Sequence, residues 1–311
     1  MKWLEVSLTV PGELAEPVAD VFARHAPGGV AMFPQIGDDA SSAPSALVTV
    51  CAYLAMDGEI DVKRTRIAEG LWHLSQIDSL PQLSVRPIKE QDWKEVWKER
   101  FHPIPVGQRL LVQPAWFPPP SGPRLPILID PGMAFGVGSH PTTRLCLEAL
   151  EEHILPGSVV VDLGCGSGIL SIAAARLGAA SVLGLDVDPE AVQAARSNVE
   201  RNQVGDRVEV RQGSLSELKD WVTGTRSRPS LLMANILARV LEQLIGEGIG
   251  EVVEEGGKLV ISGILESQLP SLLGIIQDKG LELLAKHTAG DWIALILQRK
   301  TPPVPGGDPY V

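Results

Sequence analysis

The 311-residue chain lacks several features that would assign it to a large class of proteins. Cysteine is scarce: Cys51, Cys146 and Cys165 are far apart and odd in number. They build neither a disulfide framework nor a Cys-x-x-Cys metal knuckle, and a reducing compartment is expected. Positive charge is in deficit, with 27 lysines and arginines against 38 acids and a net charge of −11. Phosphate backbones are tracked by clustered Lys and Arg, so no direct nucleic-acid binding is expected, and a basic protein is the easier partner. Long apolar runs are missing as well. None approaches the ~20 residues of a membrane span, and the opening MKWLEVSLTV alternates apolar with polar residues. No membrane association and a cytoplasmic location are the expectation. What remains is the composition of an ordered protein, 44% hydrophobic and 21% charged, with enough chain for two domains.

From Met1 to about Val85 the pattern reads strand, helix, strand, strand, helix, strand. PGELAEPVADVFARHA places Val18, Val21 and Phe22 on one helical face, and IDVKRTRIAEGLWHLSQI does the same with Ile60, Ile67, Leu71 and Leu74. Strands are expected around Trp3 to Val10, at GGVAMF, at ALVTVCAYL and at LSVRPI. That order predicts a small α+β ferredoxin-like domain over 1–88. Residues 89–126 read as a connecting segment, opened by a helix with Trp93, Trp97 and Phe101 four apart and closed by the proline-rich bend WFPPPSGPRLP. From 127 to 300 strands and helices alternate as in an α/β domain, with strands at VVVDLG, SVLGLDV, VEVRQG, SLLMANI and KLVISGI. A closing hairpin, LELLAKHTAG with WIALILQRK, completes an expected seven-stranded sheet with an antiparallel end. The tail 301–311 has the composition of disorder.

The strongest chemical signal is VVVDLGCGSGIL. A buried strand runs into Gly164, Gly166 and Gly168 and then into a helix, so the backbone can approach a ligand closely and helix N–H groups face it. A nicotinamide-type G-x-G-x-x-G needs its third glycine at 169, which is Ile169. The spacing found, D-x-G-x-G-x-G, resembles the first motif of class I S-adenosylmethionine-dependent methyltransferases. Asp186 ends the next strand, where a carboxylate accepts from both hydroxyls of a ribose, while Asp188 is better placed to cap the following helix. Asp162, just before the glycines, either orients the loop or meets the ammonium of a methionine. Cys165 reads as a small residue in a tight turn.

Asn235 ends the fourth strand and faces the same crevice. It is followed by Ile236, Leu237 and Ala238 in place of the Pro-Pro-aromatic run of many amino-group methyltransferases, which argues against methylation of a flipped base. Upstream, DPGMAFGVGSHPTT holds no lysine for a phosphate loop and gives His140 no second metal ligand. His140 reads as a structural hydrogen-bonder. Thr142 or Thr143, near the start of TTRLCLEAL, can cap that helix or meet a ligand carboxylate. Phe135, between Ala134 and Gly136, can move into the crevice and shield a sulfonium from water.

DPGMAFGVGSHPTT, DLGCGSGIL, GLDVDP, ANIL, SGIL and WKERFHPIPVGQRLLVQPAW together resemble the bacterial PrmA family, which methylates the ribosomal large-subunit protein numbered eleven. The resemblance covers almost the whole chain. It implies S-adenosylmethionine as methyl donor, contacts to it from Thr143, Gly164, Asp186 and Asn235, and a site lined by Phe135. It also implies that the N-terminal domain holds the ribosomal protein, whose lysine and N-terminal amino groups are modified. Asn235 and Phe135 are the expected catalytic residues, with Asp162, Gly166 and Gly168 completing the donor site; a monomer is expected. Val137 stands where the family usually has threonine, and the proline-rich insert near Pro118 is unusual. The rival readings are a lysine methyltransferase acting on another protein, such as the electron-transfer flavoprotein β-subunit, and a non-catalytic donor-binding module.

Overall fold

A computed structural model describes residues 2–23, 25–26, 30–34, 47–76, 79–89, 102–114, 116–118, 120–129, 138 and 140–300. The expected helix around Trp93 and Trp97, together with Phe135, Val137 and the tail, lies outside the described residues. The chain divides into two compact units, Met1–His102 and Pro103–Val311.

The first unit contains strand β1 (Lys2–Pro11), helix α1 (Gly12–Ala23), β2 (Val30–Pro34), β3 (Leu47–Ala55), α2 (Ile60–Ser75) and β4 (Ser84–Lys89). Its sheet runs β2-β3-β1-β4 with every pairing antiparallel, which is the ferredoxin-like arrangement the order of elements predicts. Alternation along β1 turns Leu4, Val6, Leu8 and Val10 into one core with Val18 and Phe22 of α1 and Ile67 of α2. Gly70 brings the helices close, since a Cβ there would come within 2.7 Å of Val21 Cγ1. Glu5 points the other way and is buried, accepting from the Tyr53 hydroxyl at 3.1 Å.

The second unit begins with a small sheet, β5 (Ile104–Val106), β6 (Leu110–Pro114) and β7 (Leu125–Ile129), in the order β5-β6-β7. Arg124 ties its turn together by donating to the carbonyls of Val106, Gly107 and Leu110. The large sheet comprises β8 (Val159–Leu163), β9 (Ser181–Asp186), β10 (Val208–Gln212), β11 (Leu231–Asn235), β12 (Lys258–Leu265), β13 (Leu281–Ala289) and β14 (Trp292–Arg299). Its order is β10-β9-β8-β11-β12-β14-β13, parallel from β10 to β12 and antiparallel at β14 and β13.

Seven helices accompany it among the described residues: α3 (Pro141–His153), α4 (Ile169–Leu177), α5 (Pro189–Arg201), α6 (Leu215–Thr225), α7 (Ala238–Gly246), α8 (Ile249–Val252) and α9 (Leu269–Asp278). Neighbouring strand residues point to opposite faces. Val160, Val182 and Met233 join a core with α3, α4 and α5, while Val161, Leu183 and Leu232 join a second core with α6, α7 and α9. The order of parallel strands reverses between β8 and β11. Sheets of this kind open a crevice at such a point, outside the carboxyl ends of the strands.

Candidate active site

β8 delivers its chain into this crevice through a turn whose backbone favours glycine. Gly164, Gly166 and Gly168 have φ of +74°, +53° and +78°, a region in which an L side chain is strained. A Cβ on Gly164 would also overlap the Ile236 side chain, and one on Gly168 would approach Ala195 Cβ to 3.1 Å. The turn is pinned from within. Gly164 and Cys165 donate their N–H groups to the Leu185 carbonyl at 2.7 and 2.9 Å, and Gly168 donates to that of Cys165 at 2.8 Å.

Asp186, at the tip of β9, faces the turn. Its Oδ2 accepts from Gly166 N at 2.9 Å and its Oδ1 from Asp188 N at 3.0 Å. Asp188 caps α5 by accepting from Glu190 N at 2.9 Å, so Asp186 is not needed as a cap. Asp162, at the end of β8, is 1% exposed. Its Oδ2 accepts from Ser171 N at 3.0 Å and Ser171 Oγ at 2.6 Å, which fastens the strand end to α4. Its Oδ1 is buried with no hydrogen-bond partner among the described residues. Burial pushes the Asp162 carboxyl up to about 6, with a smaller upward push from the charge of Asp186; the Ser171 hydrogen bonds oppose it. Burial likewise drives the Cys165 thiol far up, with Asp162 and Asp186 adding to the effect, so the thiol form is favoured there over the thiolate. Cys146 is pushed up to about 12 for the same reason.

Asn235 closes β11, half-buried, and its Nδ2 donates to Thr143 Oγ1 at 3.4 Å. The next residue is held by a close approach of backbones. Gly263 has φ of +85°, any Cβ on it would overlap the Ile236 carbonyl oxygen, and Ile236 N donates to the Ser262 carbonyl at 3.2 Å. The pairing of β12 with β14 shifts register between Ser262 and Ile264, and the bulge lets the strand bend around Ile236.

Thr142 and Thr143 are both buried at the start of α3, but neither hydroxyl caps it. The cap is His140, whose Nδ1 accepts from Thr142 N at 3.3 Å and lies 2.7 Å from Thr142 Oγ1. Its ring meets Trp292 edge-on, with centroids 5.1 Å apart. The structure therefore gathers Asp162, the three glycines, Asp186, Asn235 and Thr143 at one end of the large sheet. Phe135 is not among the described residues. Sequence reasoning missed Ser171, Asn198 and Trp292. Large apolar side chains stand exposed beside the site at Val187 and Leu237, each directly following a strand end or its neighbour. Among the described residues no cluster of acids, histidines and cysteines could hold a metal ion, and no helix is long and apolar enough to cross a membrane.

The arrangement can be set beside known proteins. A family described as "Ribosomal protein L11 methyltransferase (PrmA)" matches residues 2–300. The ribosomal protein L11 methyltransferase of Chloroflexus aurantiacus is 37% identical over 324 residues, covering 96% of this chain and 98% of its own. Its counterpart from Herpetosiphon aurantiacus is 36% identical, covering 94% of this chain and 98% of its own. Among solved structures, the ribosomal protein L11 methylase of Lactobacillus delbrueckii subsp. bulgaricus is 34% identical, with a TM-score of 0.57 over 64% of this chain and 100% of that one.

Proposed function

The chain belongs to the ribosomal protein L11 methyltransferase (PrmA) family, and from that premise we propose that it transfers methyl groups from S-adenosylmethionine to lysine and N-terminal amino groups of ribosomal protein L11. The observation that carries the reading is the meeting of the glycine turn, Asp186, Asn235 and Thr143 at one strand-order reversal.

The residues present suit the donor. Asp186, now satisfied by backbone N–H groups, is placed to accept from ribose hydroxyls. The buried Asp162 Oδ1 offers an anion to an ammonium group. Gly164 and Gly168 let the turn pack closely against Ile236 and Ala195 while keeping its positive φ angles. When bound, S-adenosylmethionine supplies an electrophilic methyl carbon on a sulfonium, and this chain's residues do the rest.

An amine must arrive without its proton. At pH 7 a lysine is about 0.04% neutral and an α-amino group about 10% neutral. The apolar side chain of Ile236, packed against Gly164, disfavours an ammonium beside it, and holding the amine in line supplies much of the remaining acceleration. With Nδ2 of Asn235 engaged by Thr143, its Oδ1 is the end of the amide that accepts from an amine N–H and aims the lone pair. Asp162 is tied to Ser171 and does not serve as the base; water takes the proton before attack. Phe135 is assigned to the wall of the site, and residues 1–88 to holding the ribosomal protein. The enzyme is read as a cytoplasmic monomer.

Incubating the purified chain with tritiated S-adenosylmethionine and L11 should label L11 at amino groups. Mass spectrometry of L11 from cells lacking the chain should show the methyls gone. Label on other proteins with none on L11 would overturn the substrate; binding without any transfer would leave a donor-binding module.

A further inference from the structure

Ser167 lies between Gly166 and Gly168, whose φ values are +53° and +78°. Peptides flanked by glycines change orientation at little steric cost, so these residues alone do not specify which way the Ser167 carbonyl points. It points inward. Ser167 is 1% exposed, and its carbonyl accepts from Asn198 Nδ2 at 2.9 Å; Asn198, on α5, is itself 2% exposed. The orientation of the Asn198 amide is fixed in turn, because Arg201 Nη1 donates to its Oδ1 at 3.2 Å and a guanidinium only donates. One turn later Asn202 donates to the Asn198 carbonyl at 2.8 Å. It also brackets Leu128 of β7, accepting from its N–H at 2.9 Å and donating to its carbonyl at 2.6 Å. The α5 face that holds the turn is thus anchored to a second strand and cannot drift.

We propose that Asn198 is a positioning residue for methyl-donor binding: through the Ser167 carbonyl it locks the glycine turn in the one peptide orientation that presents the crevice with the geometry around Asp186. A flipped Ser167–Gly168 peptide would turn a carbonyl dipole towards the crevice and break the 2.8 Å hydrogen bond from Gly168 N to the Cys165 carbonyl. This inference rests on the reading that the turn holds S-adenosylmethionine.

The test uses the full chain, with S-adenosylmethionine binding followed by calorimetry and turnover at saturating donor measured separately. Asn198→Asp keeps the shape and the contact with Arg201 but sets an acceptor against the Ser167 carbonyl. Its dissociation constant should rise by about tenfold or more, the scale of leaving one buried hydrogen bond unmade, while saturated turnover stays within about threefold of wild type. Asn198→Ala should weaken binding less, since water can take the vacated place, and it carries the test should the aspartate variant not fold by circular dichroism. Donor affinity within about twofold of wild type in a folded variant would overturn the proposal. So would an equal loss of affinity and saturated turnover, which would mark general disorder. Failure of the wild type itself to bind would remove the donor reading and this inference together.

Discussion

Asp162 has two carboxylate oxygens in different situations, one saturated by Ser171 and one buried without a partner among the described residues. The folded protein holds its proton up to about 6, above the ordinary 3.8. A raised carboxyl stabilises the fold in its protonated form: that contribution is present in full below the ordinary value and is lost as pH rises through about 6. A cationic ligand group against Oδ1 reverses the preference. S-adenosylmethionine affinity should therefore climb by roughly tenfold as pH rises through this window, one pKa unit being a factor of ten, and Asp162→Asn should flatten the climb. Calorimetry across the same pH range checks it; an unaltered slope in the variant would assign the titration elsewhere.

Asp186 and Asn235 separate binding from chemistry. Removing the Asp186 carboxylate should weaken the donor by about 1.5–3 kcal/mol, more than tenfold. Part of that loss comes from the turn itself, because Asp186 also holds Gly166 N. An unchanged dissociation constant for Asp186→Ala would refute the ribose assignment. Asn235→Ala should instead lower the saturated rate far more than donor affinity, as expected for an interaction made mainly at the transition state. Single-turnover rates decide it: wild-type rates with weakened binding would reduce Asn235 to a donor contact.

Elements differ in how plainly the sequence announces them. The strands of the large sheet are short apolar runs bounded by Gly, Asp and Asn, and the glycine turn is legible because its spacing is a steric requirement. VLEQLIGEGIGEVVEE, from Val240 to Glu255, reads in sequence as one helix but is broken into α7 and α8, because Gly248 takes φ of +91°. α6 goes unread: its β-branched Val222 and Thr223 and its Gly224 dilute the helical pattern, although Glu217 accepts from Ser214 N at 2.7 Å in a cap. α9 is hidden by Pro270 and Gly274. Asn198 left no trace because a buried amide on a helix face looks like any polar residue until its partner carbonyl is known. Gly263 is the opposite case: its motif is visible in sequence, but its reason, contact with the Ile236 backbone, is not. Gly263→Ala meets a carbonyl that cannot move aside cheaply, so stability should fall by more than about 3 kcal/mol. Turnover should fall with it because Asn235 adjoins Ile236. Thermal unfolding together with a turnover assay checks this; a variant with wild-type melting would show that the bulge can relax.

At the scale of the molecule, every residue assigned to the donor, from Thr143 to Asn235, lies within the second compact unit, Pro103–Val311. That unit has its own two sheets, with a core on each face of the larger one, and the first unit has a separate core of its own. The ferredoxin-like fold was legible because its period-two strands and amphipathic helices alternate in a fixed order, whereas no residue pattern in Met1–His102 advertises chemistry. If the first unit recognises the protein substrate, the two tasks should come apart. Deleting Met1–His102 should leave the dissociation constant for S-adenosylmethionine within about threefold of the full chain, while kcat/KM for L11 falls by more than about a hundredfold, the loss of a substrate-positioning interface. Circular dichroism and thermal unfolding of the truncated chain establish that it is folded before either is measured. Full activity towards L11 in a folded truncated chain would move substrate recognition onto the second unit, and the exposed Val187 and Leu237 beside the crevice would be the next side chains to substitute.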